Sequence, residues 1–143
     1  MKFVTCAAAM LLSCSAAFAM QQNNLSIGQI MNRLMSIADA MSEASLEAAT
    51  KETEKYDPKS EDEEAIKAVC CAADTALIAF MEPFKEACAM LGESGNAFLV
   101  ARLNKIEKGY NEPQKVGDVI TAIQTVRASN KEIYLSFRNQ FGI

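Results

Sequence analysis

Leu25-Ser26-Ile27-Gly28-Gln29-Ile30-Met31-Asn32-Arg33-Leu34-Met35-Ser36-Ile37 decides the fold class. Ser26 followed three residues later by Gln29 is a capping box, and Leu25 is placed to staple onto Ile30. Beyond the cap, Ile27, Ile30, Leu34, Ile37, Met41, Ala44 and Ala48 recur at spacings of three and four. That is one apolar stripe on an α-helix, predicted to run to about Tyr56. Asp57-Pro58 ends it, because the residue before a proline is pushed out of the helical region.

Downstream, Ser60-Glu61-Asp62-Glu63 reads as a second capping box, with acids in the first turn that complement the helix dipole. The second stripe is Ile66, Val69/Cys70, Ala73, Leu77, Phe80/Met81, Phe84, Cys88 and Leu91. Pro83 lies inside it and predicts a kink or a break into two helices, since proline removes a hydrogen bond and crowds the carbonyl of Ala79. Gly92 is the expected stop. A short third helix is predicted from a Ser94 cap, with Phe98, Leu99, Leu103 and Ile106 as its stripe and Gly109 at its end. The last is predicted from near Pro113, with Val116, Val119, Ile123, Val126, Asn130, Ile133, Phe137 and Phe141 in line and Gly142 closing it. No alternating strand pattern of useful length competes. The fold class is therefore all-α, a four- to five-helix antiparallel bundle joined by short connections.

Upstream, residues 1–19 have a different character. Met1-Lys2 carries one positive charge, Phe3 to Leu12 is apolar, and Ala17-Phe18-Ala19 is a small-x-small signature before polar Gln21-Gln22-Asn23-Asn24. That order is a secretory signal peptide, expected to be cleaved to leave the bundle domain 20–143. A rival cut at Leu11-Leu12-Ser13-Cys14 would suit a bacterial lipoprotein. No later segment is apolar and long enough to cross a membrane. The expected location is outside the cell, with the cell wall one destination and the periplasm another if the source is bacterial. Asn24-Leu25-Ser26 is an N-glycosylation acceptor if the source is eukaryotic.

Charge and composition exclude several functions. The net charge of −4 becomes −5 without Lys2, which argues against nucleic acid as a partner. Acids crowd Glu52 to Glu64, whereas bases outnumber acids from Arg102 to Arg138. This is either a solvated acidic loop or an electrostatic pairing of the two ends, within the fold or between copies. The chain has no histidine, so the commonest general base and metal ligand is missing. Cys70, Cys71 and Cys88 lack the paired spacing of a zinc site, and Glu61 to Glu64 lack the alternation and turn glycine of a calcium loop. No catalytic residue, metal or cofactor is expected.

The three cysteines that remain after Cys6 and Cys14 leave with the signal are an odd number. They allow a bridge with one thiol left over, a bridge between molecules, or three small buried apolar residues. On one straight helix, Cys70 and Cys88 would stand about 27 Å apart at 1.5 Å per residue, beyond disulfide reach unless the helix breaks and folds back.

What remains is apolar. Met31, Met35, Met41, Met81 and Met90 share helical faces with Phe80, Phe84, Phe98, Phe137 and Phe141. They are either ordinary core or a deformable groove for an acyl chain, a use to which unbranched methionine is suited. Met41, Phe80, Phe84, Ile123 and Phe137 are the candidate ligand-contacting residues. Burying about 14 methylenes at about 0.8 kcal/mol each is worth about 11 kcal/mol gross. Ordering costs still leave micromolar binding within reach. Asn130 in the last stripe fixes register or meets solvent, and Arg102 either snorkels or meets a ligand carboxylate.

From about Leu46 onward the chain resembles the fungal hydrophobic surface-binding protein A family, which includes cell-wall galactomannoproteins. The resemblance is carried by Leu46-Glu47-Ala48-Ala49-Thr50 through Ser60 to Ile66, and by Ala76-Leu77-Ile78-Ala79-Phe80 with Pro83-Phe84. Phe98-Leu99-Val100 with Leu103 and Ile106, and a last helix ending Ile133, Phe137, Phe141, complete it. The Cys70-Cys71 pair and Cys88 depart from the family pattern, as does the lack of a Ser/Thr-rich tail. The resemblance implies a secreted bundle that adsorbs to hydrophobic surfaces or fatty acids. It assigns no residue to a ligand. The competing expectation is a secreted structural protein that self-associates or binds a host protein.

Overall fold

Ser26 and Gln29 cap each other as their spacing requires. The Gln29 amide donates to Ser26 Oγ at 3.2 Å, and the Ser26 amide donates to Gln29 Oε1 at 2.9 Å. This opens α1 (Ile27–Thr53) in a computed structural model that describes residues 25–108 and 111–142. Residues 1–19, read from the sequence as a signal peptide, Asn24, Gly109 and Tyr110 lie outside the described residues.

Four further α-helices follow: α2 (Glu63–Leu77), α3 (Met81–Met90), α4 (Gly92–Lys108) and α5 (Val116–Phe141). The described residues contain no strand, so the all-α bundle expectation holds. No helix among them is long and apolar enough to cross a membrane.

Several boundaries differ from the sequence reading. Helix α1 stops at Thr53 rather than near Tyr56. The cap of α2 is Asp62, whose carboxylate accepts from the Glu64 amide at 3.4 Å. Ser60 Oγ instead accepts from the Asp62 amide at 3.2 Å, holding the preceding turn. Asp and Ser are comparable caps, so the motif leaves two registers open and the turn chooses between them. Helix α5 begins at Val116, not near Pro113. Asp118 makes that start by accepting from the backbone amides of Gln114 and Lys115, both at 3.0 Å. Helix α4 begins at Gly92, before the predicted Ser94 cap.

The break expected at Pro83 occurs slightly upstream, as a 3-10 turn at Ile78–Phe80. Proline thereby becomes the third residue of α3. The amides of a helix's first turn have no intrahelical partner, so its missing N–H costs little there. Gly92, the first residue of α4, takes a left-handed conformation, φ 75°, where the chain turns out of α3. Gly142 does the same after α5, and its amide bonds the Arg138 carbonyl.

Helix α1 packs most extensively on α2 and α5. Two side-chain bonds set the direction of α5: Tyr134 Oη donates to Asn32 Oδ1, and Asn130 Nδ2 donates to Asp39 Oδ1 at 3.3 Å. Positions along α5 fall as those along α1 rise, so the two helices are antiparallel. The loop after α1 caps α5 from outside: the Val116 amide donates to the Ser60 carbonyl at 3.0 Å and the Gly117 amide to the Pro58 carbonyl at 2.9 Å. A Cβ at Gly117 would stand 3.2 Å from that Pro58 oxygen, so glycine permits this approach.

The core runs from Met31, Leu34 and Met41 through Val69, Leu77, Phe84 and Cys88 to Val119, Ile123 and Phe137. At one end, Phe98 meets Phe137 edge-on at 5.5 Å, and Phe141 stacks on Phe137 at 4.4 Å. The buried face of α1 is rotated from the predicted stripe. Ser42, Ser45, Ala49 and Thr53 are buried, while Ile37, Ala44 and Ala48 are only half-buried. Small residues allow α1 and α2 to approach closely. Ser45 Oγ donates across to the Ala73 carbonyl at 3.0 Å, which satisfies the buried hydroxyl.

Candidate functional site

A groove lies between α1 and α5. Met35, Ala38, Met41, Ser42 and Ser45 line it from one side, and Ile123, Val126, Asn130 and Ile133 from the other. Leu34, Leu77, Phe84 and Leu99 complete the lining. It holds about 100 Å³ of free space, is almost wholly apolar and is partly open to solvent.

The groove has a local cause. Along α5 the buried stripe is interrupted at Val126 and Asn130, which are half-buried between buried Ile123 and Ile133. Opposite them, α1 presents Ala38 and Ser42, too short to reach across. Asn130 turns its amide to Asp39 at 3.3 Å instead of filling the gap. Thin side chains on one helix and a polar one on the other leave apolar surface uncovered.

Met41, Phe84 and Ile123 come together in this groove, as the sequence reading grouped them. Phe80 does not line it; it is half-buried on the 3-10 turn. Phe137 is fully buried in the aromatic cluster with Phe98 and Phe141. Leu34, Met35, Leu77, Leu99, Val126, Asn130 and Ile133 also line it without having been named as contacts, and Ala38, Ser42 and Ser45 lie outside the predicted stripes altogether. The signal available was the small-residue spacing of Ala38, Ser42 and Ser45 on one face of α1.

No lining residue is titratable, so the groove itself has no side chain with which to move a proton at ordinary pH. A larger hollow of about 460 Å³ lies between the start of α2 and residues 112–114. Glu61, Glu63, Lys67 and Glu112 line it beside Ile66, Cys70 and Pro113, so its surface is mixed and more polar than that of the groove.

Cys70 and Cys88 are buried, Cys71 is exposed, and no disulfide forms among the described residues. Burial pushes the Cys70 thiol up from its ordinary value, with Asp74 one helical turn on adding to the effect. Cys70 therefore stays a neutral thiol at neutral pH.

Asp74 is the costly group in α2. It is 9% exposed, and neither carboxylate oxygen has a hydrogen-bond partner among the described residues. Burial pushes its carboxyl up from the ordinary value. A raised carboxyl binds its proton more tightly in the folded state, so its contribution is most favourable below the unfolded value and is lost as pH rises through the folded one. We expect Asp74→Leu to gain about 1–3 kcal/mol at neutral pH, the usual penalty of an unsatisfied buried group. In urea titrations across pH, that gain grows as pH rises above the ordinary carboxylate range. A gain independent of pH would mean that Asp74 carries no such penalty.

No family model matches this chain, and neither the curated proteins nor the solved structures contain a match to it.

Proposed function

We propose that the protein is a secreted, non-catalytic binding module for apolar ligands, and that the α1–α5 groove takes a single alkyl chain. The observation that carries this reading is the groove itself: an almost wholly apolar lining, partly open to solvent, in which Met35 and Met41 supply adaptable walls. The resemblance to a family that adsorbs to hydrophobic surfaces and fatty acids supports the same reading.

The size of the groove sets how much of a chain it encloses. Its 100 Å³ is below the roughly 300–1,000 Å³ usual for sites that engulf a ligand. The enclosed part covers only a few methylenes, each worth about 0.8 kcal/mol, and the rest of a long chain lies along the open side. Binding is accordingly weaker than the full burial of a long chain would give.

Calorimetric titration with straight-chain alcohols from octanol to tetradecanol tests this. Affinity should rise with each added methylene and level off once the groove is filled. No heat and no thermal shift at any chain length would remove the proposal. The alternative, self-association, has one favourable feature: Cys71 presents an exposed thiol on α2. A dimer on non-reducing gels that reduction dissolves, with no alcohol binding, would favour it.

A further inference from the structure

Next to the apolar groove is a second hollow of about 190 Å³, lined by Arg102 and Lys105 of α4 and by Ser129, Glu132, Ile133 and Ser136 of α5. Ile133 lines both. It is 8% exposed and forms the wall between them. On α4 the same sequence runs along one helix: Leu99 lines the apolar groove, and Arg102, one turn later, lines the second hollow. Apolar bed and cationic hollow are therefore contiguous along the α4–α5 seam.

The two cations are available. Arg102 is held with its guanidinium 5.2 Å from the centre of the Phe98 ring, a cation–π contact that fixes its position without consuming its hydrogen-bond donors. Lys105 is exposed. Among the described residues, neither is paired with a carboxylate. Glu132 is the one acid in the lining, so the hollow carries a net positive charge on a chain whose overall charge is −4. The Ser136 hydroxyl lines the hollow as well, whereas the Ser129 hydroxyl donates to the Thr125 carbonyl at 3.0 Å.

We infer that this hollow is the head-group subsite of the apolar groove, and that the ligand is a single-chain anionic amphiphile. Its alkyl chain lies between α1 and α5, and its anionic head group meets Arg102 and Lys105 past Ile133. This rests on the groove binding an alkyl chain and adds to it the charge of the ligand and the end at which the charge sits. A guanidinium presents a planar fork that fits a carboxylate or a phosphate monoester, and the ammonium adds a point charge. Glu132 opposes both head groups and weakens binding.

The test is calorimetry of dodecanoate, dodecyl phosphate and dodecanol, below their micelle concentrations and at mildly alkaline pH. The proteins are the wild type, Lys105→Gln, the Arg102→Gln/Lys105→Gln pair and Glu132→Gln. Dodecanol should bind all four proteins within about twofold of one another. Dodecanoate should lose about tenfold in affinity in the double variant, less in Lys105→Gln, and gain a few-fold in Glu132→Gln, with added salt reproducing the loss. A loss confined to dodecyl phosphate would keep the anionic subsite and reassign the head group to a phosphate. The gain in Glu132→Gln cannot come from misfolding, and Lys105→Gln alters an exposed side chain without touching the Phe98 contact. If dodecanol binds and dodecanoate is indifferent to every variant, the head-group subsite is wrong and the groove stands. If no amphiphile binds the wild type, the groove reading fails and this inference fails with it.

Discussion

Phe137→Ala should cost about 4 kcal/mol of folding stability, the largest single loss in the molecule's aromatic end. Phe137 is fully buried and joins two rings: Phe98 edge-on at 5.5 Å and Phe141 stacked at 4.4 Å. Removing a buried phenyl ring costs about 3–5 kcal/mol through lost transfer energy and the cavity left behind. Loss of the two ring contacts keeps this site away from the lower end of that range. Chemical denaturation should show a lower midpoint with an unchanged slope. A loss under about 1 kcal/mol would mean that α4 and α5 are not packed through these rings. The same substitution should leave the α1–α5 groove formed, because Phe137 is not among its lining residues.

Gly95→Ala should destabilise, against the general rule. Alanine in a helix interior is normally better than glycine by about 0.5–1 kcal/mol. Gly95 is buried in the first turns of α4, and a Cβ there would stand 2.8 Å from Leu91 Cβ, with Phe137 Cε2 at 3.7 Å. The atom in the way belongs to the base of a side chain and cannot swing aside. Leu91 follows the end of α3 and is itself buried. Relief therefore requires α3 and α4 to move apart at their junction, and overpacking of this kind costs about 1–3 kcal/mol. Denaturation of Gly95→Ala checks the sign. A stabilised variant would show that the α3–α4 junction yields easily.

The outline of the bundle was legible because its signals are local. The Ser26–Gln29 box forms as its spacing requires, and Gly92 and Gly142 adopt left-handed conformations where stripes end. Pro83 announced a break but not its position. The chain yields at Ile78–Phe80, because moving the irregularity upstream leaves proline in a first turn.

The site was legible only in part. Met41, Phe84 and Ile123 are large and apolar on core-facing stripes, and the groove gathers them. Phe137 has the same sequence character, yet it is spent on the ring cluster, since nothing in periodicity separates a filled interior from an unfilled one. The gap itself comes from absences of bulk at Ala38 and Ser42 facing Asn130. The stripes included Asn130 and several alanines but passed over Ala38, Ser42 and Ser45, and spacing alone does not tell a small side chain that closes an interface from one that leaves a gap. For the same reason the stripe reading misjudged the rotation of α1, whose buried face carries Ser42 and Ser45. The Arg102 alternative, snorkelling or meeting a carboxylate, depended on which hollow its helix turned toward, which is a tertiary fact.

Entry of an alkyl chain between α1 and α5 is read directly, at the residues concerned, by methyl-labelled NMR during titration with dodecanol. The predicted result is progressive shifts of the Met35 and Met41 methyls and of the Ile123 and Ile133 δ-methyls, while those of Met90 and Ile66, away from the groove lining, stay in place. Shifts confined to methyls outside the groove, or none at saturating dodecanol, would contradict it.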